Sequence, residues 1–366
     1  MQIDCGDIVD NITDGIYVVD KELTILFWNA GAEHITGWKS GDVIGSSCKD
    51  GILEHVDKDG HRLCSTEFCP LFRSMATEEK TDVPVIVYCL SKSGERIPLS
   101  VNAAPFYDAD GTQIGGIEIF RDMRGEIEYL ERARAIQQEA MGHELPESDA
   151  ISFTAISHPR DIVGGDFFRI ERIDECFPFM LQDVTDHGLP AALYTILIRS
   201  LWEEFRDVLL SPERFLAAVS RRVEFFVGQH GYFATGIYGY FDMEELAFHY
   251  SSSGGPGFFH RQADSTVTLH NPPGMMLGLV DLEGYEHHRL DLASGDTLLF
   301  FSDGAYEVFD KEGEIFGTEN LVSMFAMYRS FDDAAAFHES VEKELLKFSG
   351  SVILPDDLTL VTVSIT

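Results

Sequence analysis

The chain has 366 residues, of which 45% are apolar, so it is long enough for about two domains with separate cores. Its 62 acidic residues outnumber its 27 Lys and Arg, and the formal charge of -35 repels phosphate backbones and anionic lipids, which argues against nucleic acid or a membrane as partner. No apolar run approaches the ~20 residues of a membrane span, and the start of the chain lacks the basic and apolar parts of a signal peptide. We therefore expect a cytoplasmic protein.

Residues 8–123 contain short β-like runs separated by turn signals. The segments at 92–94 and 108–111 have the glycine and aspartate content of hairpin loops. We predict an antiparallel sheet with flanking helices, with strands at Gly15 to Val19, Leu23 to Trp28, Val83 to Leu90, Ile97 to Ala104 and Ile114 to Phe120.

Several motifs in this half are typical of one sensor family. They are Asp14-Gly15-Ile16-Tyr17-Val18-Val19-Asp20, Asn29-Ala30, Ile35-Thr36-Gly37-Trp38, Val43-Ile44-Gly45 and the closing Arg121-Asp122. Residues 1–123 therefore resemble a PAS domain. The resemblance implies a regulatory role, but PAS domains are too varied for these motifs to identify a ligand.

Cys48, Cys64 and Cys69 lie close together in this half, with His55 and His61 between them. Three thiols at this density are compatible with a redox switch, a thiol-bound metal or an iron–sulfur cluster, and equally with buried structural thiols. The spacing fits no standard zinc or ferredoxin pattern. Cys48 is placed much as the photoreactive cysteine of flavin-binding LOV sensors is, but the polar neighbours that would hold flavin are missing. The three cysteines are candidate cofactor-binding residues of the sensor, and their ligand stays open.

Residues 124–146 form a predicted connector. Between Gly125 and Glu144 there is no proline, apolar residues recur at helical spacing, and Leu145-Pro146 closes the segment. Arg134 interrupts a strict heptad, so a single amphipathic helix and a two-stranded coiled coil are nearly equal alternatives, with a slight preference for the coiled coil. We accordingly expect a homodimer through the PAS domain and this helix.

Residues 147–366 alternate strands with long helices, which predicts a layered domain and makes the whole chain an α+β protein of two domains. The predicted helices are Pro190 to Asp207 and Pro212 to Gly228, and the predicted strands are Phe177 to Gln182, Gly236 to Phe241, Leu246 to Ser251, Thr297 to Phe301 and Leu358 to Ile365.

Four acidic landmarks in this half, Asp166, Asp183, Asp303 and the pair Asp356-Asp357, are each expected at or just after the end of a β-like run. Side chains at strand ends are held rigidly, and the glycines beside several of them allow a ligand to approach the backbone. Carboxylates that converge repel one another unless a cation joins them. Oxygen ligands without nearby Cys or His favour Mg²⁺ or Mn²⁺ over zinc, and two such ions can activate a bridging water for attack on a phosphoryl group.

Taken singly, each Asp-Gly or Asp-Asp is as compatible with a turn as with a ligand. Their order is what resembles the SpoIIE-like, RsbU-like branch of the PPM metal-dependent protein phosphatases, over nearly all of residues 130–366. The matching motifs are Ala133-Arg134-Ala135-Ile136-Gln137-Gln138, Val163-Gly164-Gly165-Asp166-Phe167-Phe168, Asp183-Val184-Thr185-Asp186-His187-Gly188, Pro190-Ala191-Ala192-Leu193, Leu277-Gly278-Leu279, Ser302-Asp303-Gly304, Phe316-Gly317 and Asp356-Asp357-Leu358-Thr359.

The resemblance implies an αββα sandwich that carries a two-metal site and hydrolyses phosphoserine or phosphothreonine on a protein, with STAS-type anti-sigma factor antagonists as the substrate class. It implies the following site residues: Asp166 as the first ligand, Asp183 as the ligand that bridges two Mn²⁺ or Mg²⁺ ions, the Val184 carbonyl, Asp303, Asp356 and, less firmly, Asp357. Asp186 stands where glycine is usual, and Gly255 where histidine is frequent, which leaves rate and substrate preference open.

Two further residues are weighed against plainer roles. His187 has the pKa range of a general acid, although a histidine at a helix start more often caps or packs. Arg160 has the guanidinium fork that pairs with phosphate, although an exposed arginine among acidic residues is at least as expected.

Two other functions compete with hydrolysis. The segment from Gly164 to Phe168 superficially resembles the diguanylate cyclase signature, but Phe167 replaces the expected acid and the motifs at Asp303 and Asp356 have no place in that fold. The second alternative is a non-catalytic binding module on a phosphatase scaffold under PAS control.

Overall fold

The computed structural model describes residues 5–57, 60–66, 68–81, 85–142, 144–227, 231–279, 284–328, 334–351 and 354–366. The chain divides into two compact units, Met1–Tyr129 and Leu130–Thr366, and the division falls inside the connector helix. In the described residues, no helix combines the length and the apolar content needed to cross a membrane.

The N-terminal unit is built on one antiparallel five-stranded sheet with the strand order β2-β1-β5-β4-β3. Its elements are α1 (Cys5–Asp10), β1 (Gly15–Asp20), β2 (Ile25–Trp28), α2 (Ala30–Thr36), α3 (Ser40–Val43), α4 (Pro70–Thr77), β3 (Val85–Leu90), β4 (Arg96–Tyr107) and β5 (Gln113–Asp122). The predicted antiparallel sheet with flanking helices is confirmed. The predicted start of one strand at Val83 lies outside the described residues.

The Asn29-Ala30 motif has a structural reason. The Asn29 side chain is fully buried, and its Oδ1 accepts hydrogen bonds from the backbone N–H groups of Ile16 and Ala32, both at 2.8 Å. One of these bonds caps α2 and the other ties the helix to β1. Behind them, the rings of Tyr17, Trp28 and Phe120 pack with centroids 5.6–6.2 Å apart and form the centre of this core.

The connector helix α5 (Arg124–Met141) ends three residues before the predicted Glu144, because Gly142 takes a left-handed conformation with φ 55. Of the helix residues only Met141 is buried, whereas Tyr129 and Ile136 are 72% and 62% exposed. These exposed apolar side chains leave both alternatives for the connector, the single helix and the coiled coil, as predictions.

The C-terminal unit consists of two antiparallel five-stranded sheets that face each other, with the strand orders β13-β10-β9-β8-β7 and β12-β11-β14-β15-β6. Its strands are β6 (Ile151–His158), β7 (Asp166–Ile170), β8 (Cys176–Val184), β9 (Ala234–Asp242), β10 (Ala247–Ser252), β11 (Phe258–Arg261), β12 (Val267–His270), β13 (His288–Asp291), β14 (Thr297–Phe301) and β15 (Leu358–Ile365), and its helices are α6 (Leu189–Glu204), α7 (Pro212–Val227), α8 (Gly317–Met327) and α9 (Ala334–Ser349).

Aromatic side chains fill the space between these two sheets. Phe179 of β8 and Phe300 of β14 have ring centroids 4.2 Å apart, and Phe241 and Phe248 surround them. A second cluster packs α6 and α7 against the first sheet, and a third packs α8 and α9 against the other. The resulting layer order is αββα, so the fold class implied by the family resemblance is confirmed.

Candidate metal centre and active site

Asp166 and Asp183 lie directly opposite each other in the first sheet. Asp166 begins β7, Asp183 is the next-to-last residue of β8, and the antiparallel register pairs these two positions. Residues paired in this way have Cβ atoms about 4.5–5.5 Å apart. The local fold therefore brings the two carboxylates to the same edge of the sheet.

Asp303 and Asp356 come from the corresponding edge of the second sheet. Asp303 follows the end of β14, and Asp356 precedes the start of β15. These two strands pair up to Phe301 and Leu360, and beyond them the Ser302 N–H donates to the Thr359 carbonyl at 3.0 Å.

The expectation that every aspartate follows a strand is therefore wrong for two of them. Asp166 and Asp356 stand at strand starts, whereas Asp183 and Asp303 stand at strand ends. The physical reason is the antiparallel pairing, which places the start of one strand beside the end of its neighbour. All four positions still reach one edge.

Asp357 has a different environment from the other acids. It is 5% exposed, its Oδ1 accepts a hydrogen bond from the Arg160 N–H at 2.7 Å, and its Oδ2 accepts one from the Gly165 N–H at 2.6 Å. Both carboxylate oxygens are thus engaged by the loop that leads into Asp166. These bonds hold the loop against the start of β15.

Two glycines at the site are required by close packing. A Cβ on Gly304 would lie 2.0 Å from the Asp357 carbonyl oxygen, and a Cβ on Gly164 would lie 2.9 Å from Asp357 Oδ2. No side chain fits at Gly304 without moving backbone. The Asp-Gly and Gly-Gly motifs therefore let the loops from the two sheets approach each other.

The acids lie close enough for their charges to act on one another. Burial raises the pKa of Asp183, and the charges of Asp166, Asp303 and Asp356 raise it further. Burial and the charge of Asp357 likewise raise the pKa of Asp166, and burial and Asp356 raise that of Asp303. The protein alone therefore disfavours full ionisation of this cluster.

The Asp166 carboxylate supplies a test of whether a cation fits. Both of its oxygens are buried and have no hydrogen-bond partner. The hydroxyls of Ser302 and Thr359 partly lower its pKa, but each donates elsewhere, to the Asp357 carbonyl and to Ser157. A buried acceptor pair without donors suits a metal ion better than a hydrogen-bonded core.

Within the described ranges, no group of three or more His, Cys, Asp or Glu side chains forms a ready-made metal cage. The carboxylates thus share one edge and repel one another, but their oxygens do not surround a common metal position. The unpartnered oxygens of Asp166 and the mutual charge effects of the aspartates fit a cation, because a cation offsets the repulsion between like charges.

Gln137 connects α5 to this site. Its Nε2 donates to the Gly164 carbonyl at 2.8 Å and to Thr195 Oγ1 in α6 at 2.9 Å. A groove of about 170 Å³ runs between this part of α5 and the acids, and Arg134, His158, Asp166 and Asp357 are among its lining residues. Sequence reasoning noted Gln137 only as part of a motif, because its contacts depend on residues far away in the chain.

His187 and Arg160 have the surroundings of surface residues. The His187 Nδ1 lies 2.7 Å from Asp161 Oδ2, and both side chains are 44% exposed. Arg160 is exposed, and its backbone N–H makes the bond to Asp357. Asp186 has φ 74, which explains why glycine is usual at this position.

The candidate cysteines of the sensor half line one small cavity, together with Tyr17 and His55. All three are free cysteines in the structure. Sequence reasoning missed Glu118, which is fully buried beside this cluster on β5. Its signal was the alternation along that strand, in which Gly116, Glu118 and Phe120 all face inward.

The fold and the site together define a class. A two-sheet sandwich covered by helices on both faces, with aspartates gathered at one edge of both sheets, is the PP2C-type phosphatase fold. In agreement with this, the chain is similar to the SiaA-PP2C domain of Pseudomonas aeruginosa, with a TM-score of 0.57 and 18% identity over 67% of this chain and 98% of that one. The chain is also similar to a SpoIIE structure from Bacillus subtilis that holds the PP2C phosphatase domain and a fragment of the regulatory domain, with a TM-score of 0.52 and 14% identity over 78% of this chain and 80% of that one.

The chain belongs to the SpoIIE family, because the family model described as Stage II sporulation protein E matches residues 174–366. A PAS-domain model matches residues 13–124. The phosphoserine phosphatase RsbU of Bacillus subtilis (strain 168) is 30% identical over 196 residues, which are 53% of this chain and 57% of that protein. The chain spans about half the length of the curated relatives it matches, between 41% and 57%. The predicted PAS and SpoIIE-like architecture is confirmed.

Proposed function

We propose that this chain is a sensor-regulated protein serine/threonine phosphatase that hydrolyses phosphoserine or phosphothreonine. The observation that carries the proposal is the convergence of Asp166, Asp183, Asp303 and Asp356 at one edge of the two sheets. Membership of the SpoIIE family and similarity to a protein named phosphoserine phosphatase support it.

Two Mn²⁺ or Mg²⁺ ions would be held by the carboxylates of Asp166, Asp183, Asp303 and Asp356, with the Val184 carbonyl beside them. Such ions supply a water of lowered pKa and positive charge for phosphoryl oxygens. Because both oxygens of Asp357 already accept backbone N–H bonds, we assign Asp357 a positioning role rather than that of a ligand.

The residues of the groove would position the substrate. The groove opens beside Asp166 and presents Arg134 and His158, so it suits a phosphorylated peptide segment better than the acidic remainder of the surface does. Arg160 stands at the same loop and adds an exposed guanidinium for a phosphate oxygen. His187 is paired with Asp161, which holds its ring near the start of α6.

The substrate we propose is a STAS-type anti-sigma factor antagonist phosphorylated on serine or threonine. This class rests on the family resemblance of the motifs at Asp166, Asp183, Asp303 and Asp356. We further propose a place in the cytoplasm and a homodimer through the PAS domain and α5, whose exposed Tyr129 and Ile136 suit a helix pair.

Regulation would act through α5. Because Gln137 bonds to the loop before Asp166 and to α6 at once, rotation of α5 changes the position of Asp166 relative to Asp183. Deletion of residues 1–123 should therefore alter the basal rate or the metal affinity. If both stayed unchanged, this gate would be abandoned.

The activity is tested by phosphate release from a STAS-domain protein phosphorylated on serine, with the full chain and MnCl₂. We expect release that EDTA abolishes and that a phosphotyrosine peptide does not support. A chain that binds the phosphoprotein without releasing phosphate would instead be a binding module on a phosphatase scaffold. The cyclase alternative loses its basis, because Asp166 pairs with Asp183 on neighbouring strands of one sheet in a fold of the SpoIIE family.

A further inference from the structure

The core of the N-terminal unit holds a polar cluster that the phosphatase chemistry does not use. Cys48, His55, Cys64 and Cys69 line one cavity, and Glu118 lies beside it on β5. These residues come from a strand and from the long segment between α3 and β3, and the cavity lies wholly within this unit.

Three polar atoms in the cluster are buried without a hydrogen-bond partner. They are both carboxylate oxygens of Glu118 and the Nε2 of His55, whose side chains are 0% and 3% exposed. Burial raises the pKa of Glu118 and the Tyr17 hydroxyl partly lowers it, but this hydroxyl does not meet hydrogen-bond geometry with either carboxylate oxygen. Buried polar atoms in native proteins nearly always have a partner, so this group points to a ligand.

The distances suit donors that share one ion. His55 Nε2 and Glu118 Oε1 are 3.7 Å apart, which is too long for a hydrogen bond. Two donors about 2.0–2.1 Å from one tetrahedral ion lie about 3.4 Å from each other. A small inward shift therefore brings both atoms to one ion.

The size of the cavity excludes the larger PAS ligands. Its volume is about 10 Å³, close to that of a single water molecule or ion. Haem and flavin do not fit into such a space, whereas a monatomic ligand does.

The three thiols have unequal surroundings. Cys64 Sγ accepts a hydrogen bond from the His55 N–H at 3.1 Å and lies 3.9 Å from the His55 carbonyl, so it holds the backbone that carries the imidazole. Cys48 and Cys69 are buried at the cavity wall, and the charge of Glu118 acts on both. The cavity wall thus offers the thiols of Cys48 and Cys69 and the imidazole of His55, and the Glu118 carboxylate lies beside it. Among the described residues these donors do not yet close around one point, so binding of an ion has to draw them together.

We propose that the N-terminal unit binds one borderline-soft divalent ion of the zinc class through Cys48, Cys69, His55 and Glu118, with Cys64 as a positioning residue. Thiolate and imidazole ligands select zinc-class ions over Mg²⁺ and Mn²⁺. Binding releases the protons of the two thiols to solvent and draws the four donors together, and no electron is transferred. This site is independent of the phosphatase site and gives the sensor unit a chemical signal to read.

The test uses Co²⁺ as the probe ion on the full, reduced chain. A tetrahedral site with thiolates gives a sulfur-to-cobalt charge-transfer band in the near ultraviolet, which the carboxylate site of the C-terminal unit does not give. We expect one equivalent of this band, its displacement by Zn²⁺, and its loss in Cys48→Ser and in Cys69→Ser. Glu118→Gln should weaken the affinity by about 10-fold or more.

Cys89→Ser is the matched control, because Cys89 is a buried free thiol of the same sheet that does not line the cavity. It should keep both the band and the affinity. The wild-type measurement alone is decisive even where a variant fails to fold. Absence of the band at saturating Co²⁺, its persistence in a Cys48→Ser/Cys69→Ser double variant, or formation of a disulfide between these cysteines would overturn the proposal.

Discussion

The aspartate edge of the C-terminal unit and the thiol cluster of the N-terminal unit are both groups of buried ionisable side chains, but they differ in access and in donor type. The aspartates stand at the starts and ends of strands, and Asp166 and Asp357 line an open groove of about 170 Å³. The cysteines, His55 and Glu118 surround a cavity of about 10 Å³ inside a core.

This difference decides what each region is able to do. Hard oxygen donors at an open edge hold exchangeable hard cations and admit a large substrate. Soft donors in a closed core hold one ion tightly and admit nothing else. The first arrangement is suited to turnover and the second to sensing. Variants and pH changes test this distinction, from the largest expected effect on activity or stability to the smallest.

The largest effect is expected for Asp183→Asn. Asp183 faces the charges of Asp166, Asp303 and Asp356, so its loss should lower Mn²⁺-dependent phosphate release by about 100-fold or more. The matched control is Asp291→Asn, which removes an 84% exposed carboxylate in the same unit and should stay within about 2-fold. If Asp183→Asn kept an activity near that of the control, the aspartates at the sheet edge would not be the site of phosphate release.

A smaller loss is expected for Gln137→Ala. This change removes the two hydrogen bonds that Gln137 Nε2 donates, to the Gly164 carbonyl and to Thr195, and the longer one that its Oε1 accepts from the Gly164 N–H. The two shorter bonds, at ~1 kcal/mol each, correspond to roughly a 30-fold slower turnover. Steady-state kinetics over a range of Mn²⁺ concentrations would show whether kcat or metal affinity changes. Glu139→Ala, an exposed substitution on the same helix, should change neither.

The pH dependence of stability is expected to depend on metal. The pKa values of Asp166, Asp183 and Asp303 are raised in the folded chain, so without metal the folded state keeps protons that the unfolded state has already released above pH ~4. The stability of the metal-free site therefore falls as pH rises from about 4 through neutrality.

Melting temperatures in EDTA and in MnCl₂ measure this effect. The gap between them should widen by roughly 5 °C from pH 5 to pH 8, and most of this widening should vanish in Asp183→Asn. A gap that is constant with pH would contradict the raised pKa values.

The smallest effect is expected for Asp186→Gly. Asp186 has φ 74, and glycine adopts this conformation without a steric cost, so the free energy of unfolding should rise by about 0.5–1 kcal/mol. Urea denaturation measures the change. Asp186→Asn should leave stability nearly unchanged, because asparagine tolerates the left-handed region as well as aspartate does.

The sequence predicted those features of the fold and the site that depend on residues close together in the chain. The order of the aspartate motifs predicted the αββα sandwich and the gathering of Asp166 and Asp183. Strands β6 and β7 were among those not predicted, and the loop that joins them is held by Asp357, almost 200 residues away, through bonds that a local pattern does not show.

The N-terminal half shows the same limit. The cysteine spacing did not identify a ligand, because Glu118 comes from β5, far along the chain from Cys48 and His55. From the sequence alone, a single acid in an apolar strand is expected to face solvent. Only the folded sheet shows that Glu118 faces the core.

Counting bound Mn²⁺ by the loss of its free electron paramagnetic resonance signal tests the central claim most directly. The full chain should take up two ions per molecule, and Asp183→Asn should lose most of this uptake while Cys48→Ser keeps it. Equal Mn²⁺ uptake by wild type and Asp183→Asn would show that the carboxylates at the edge of the two sheets do not form the metal centre.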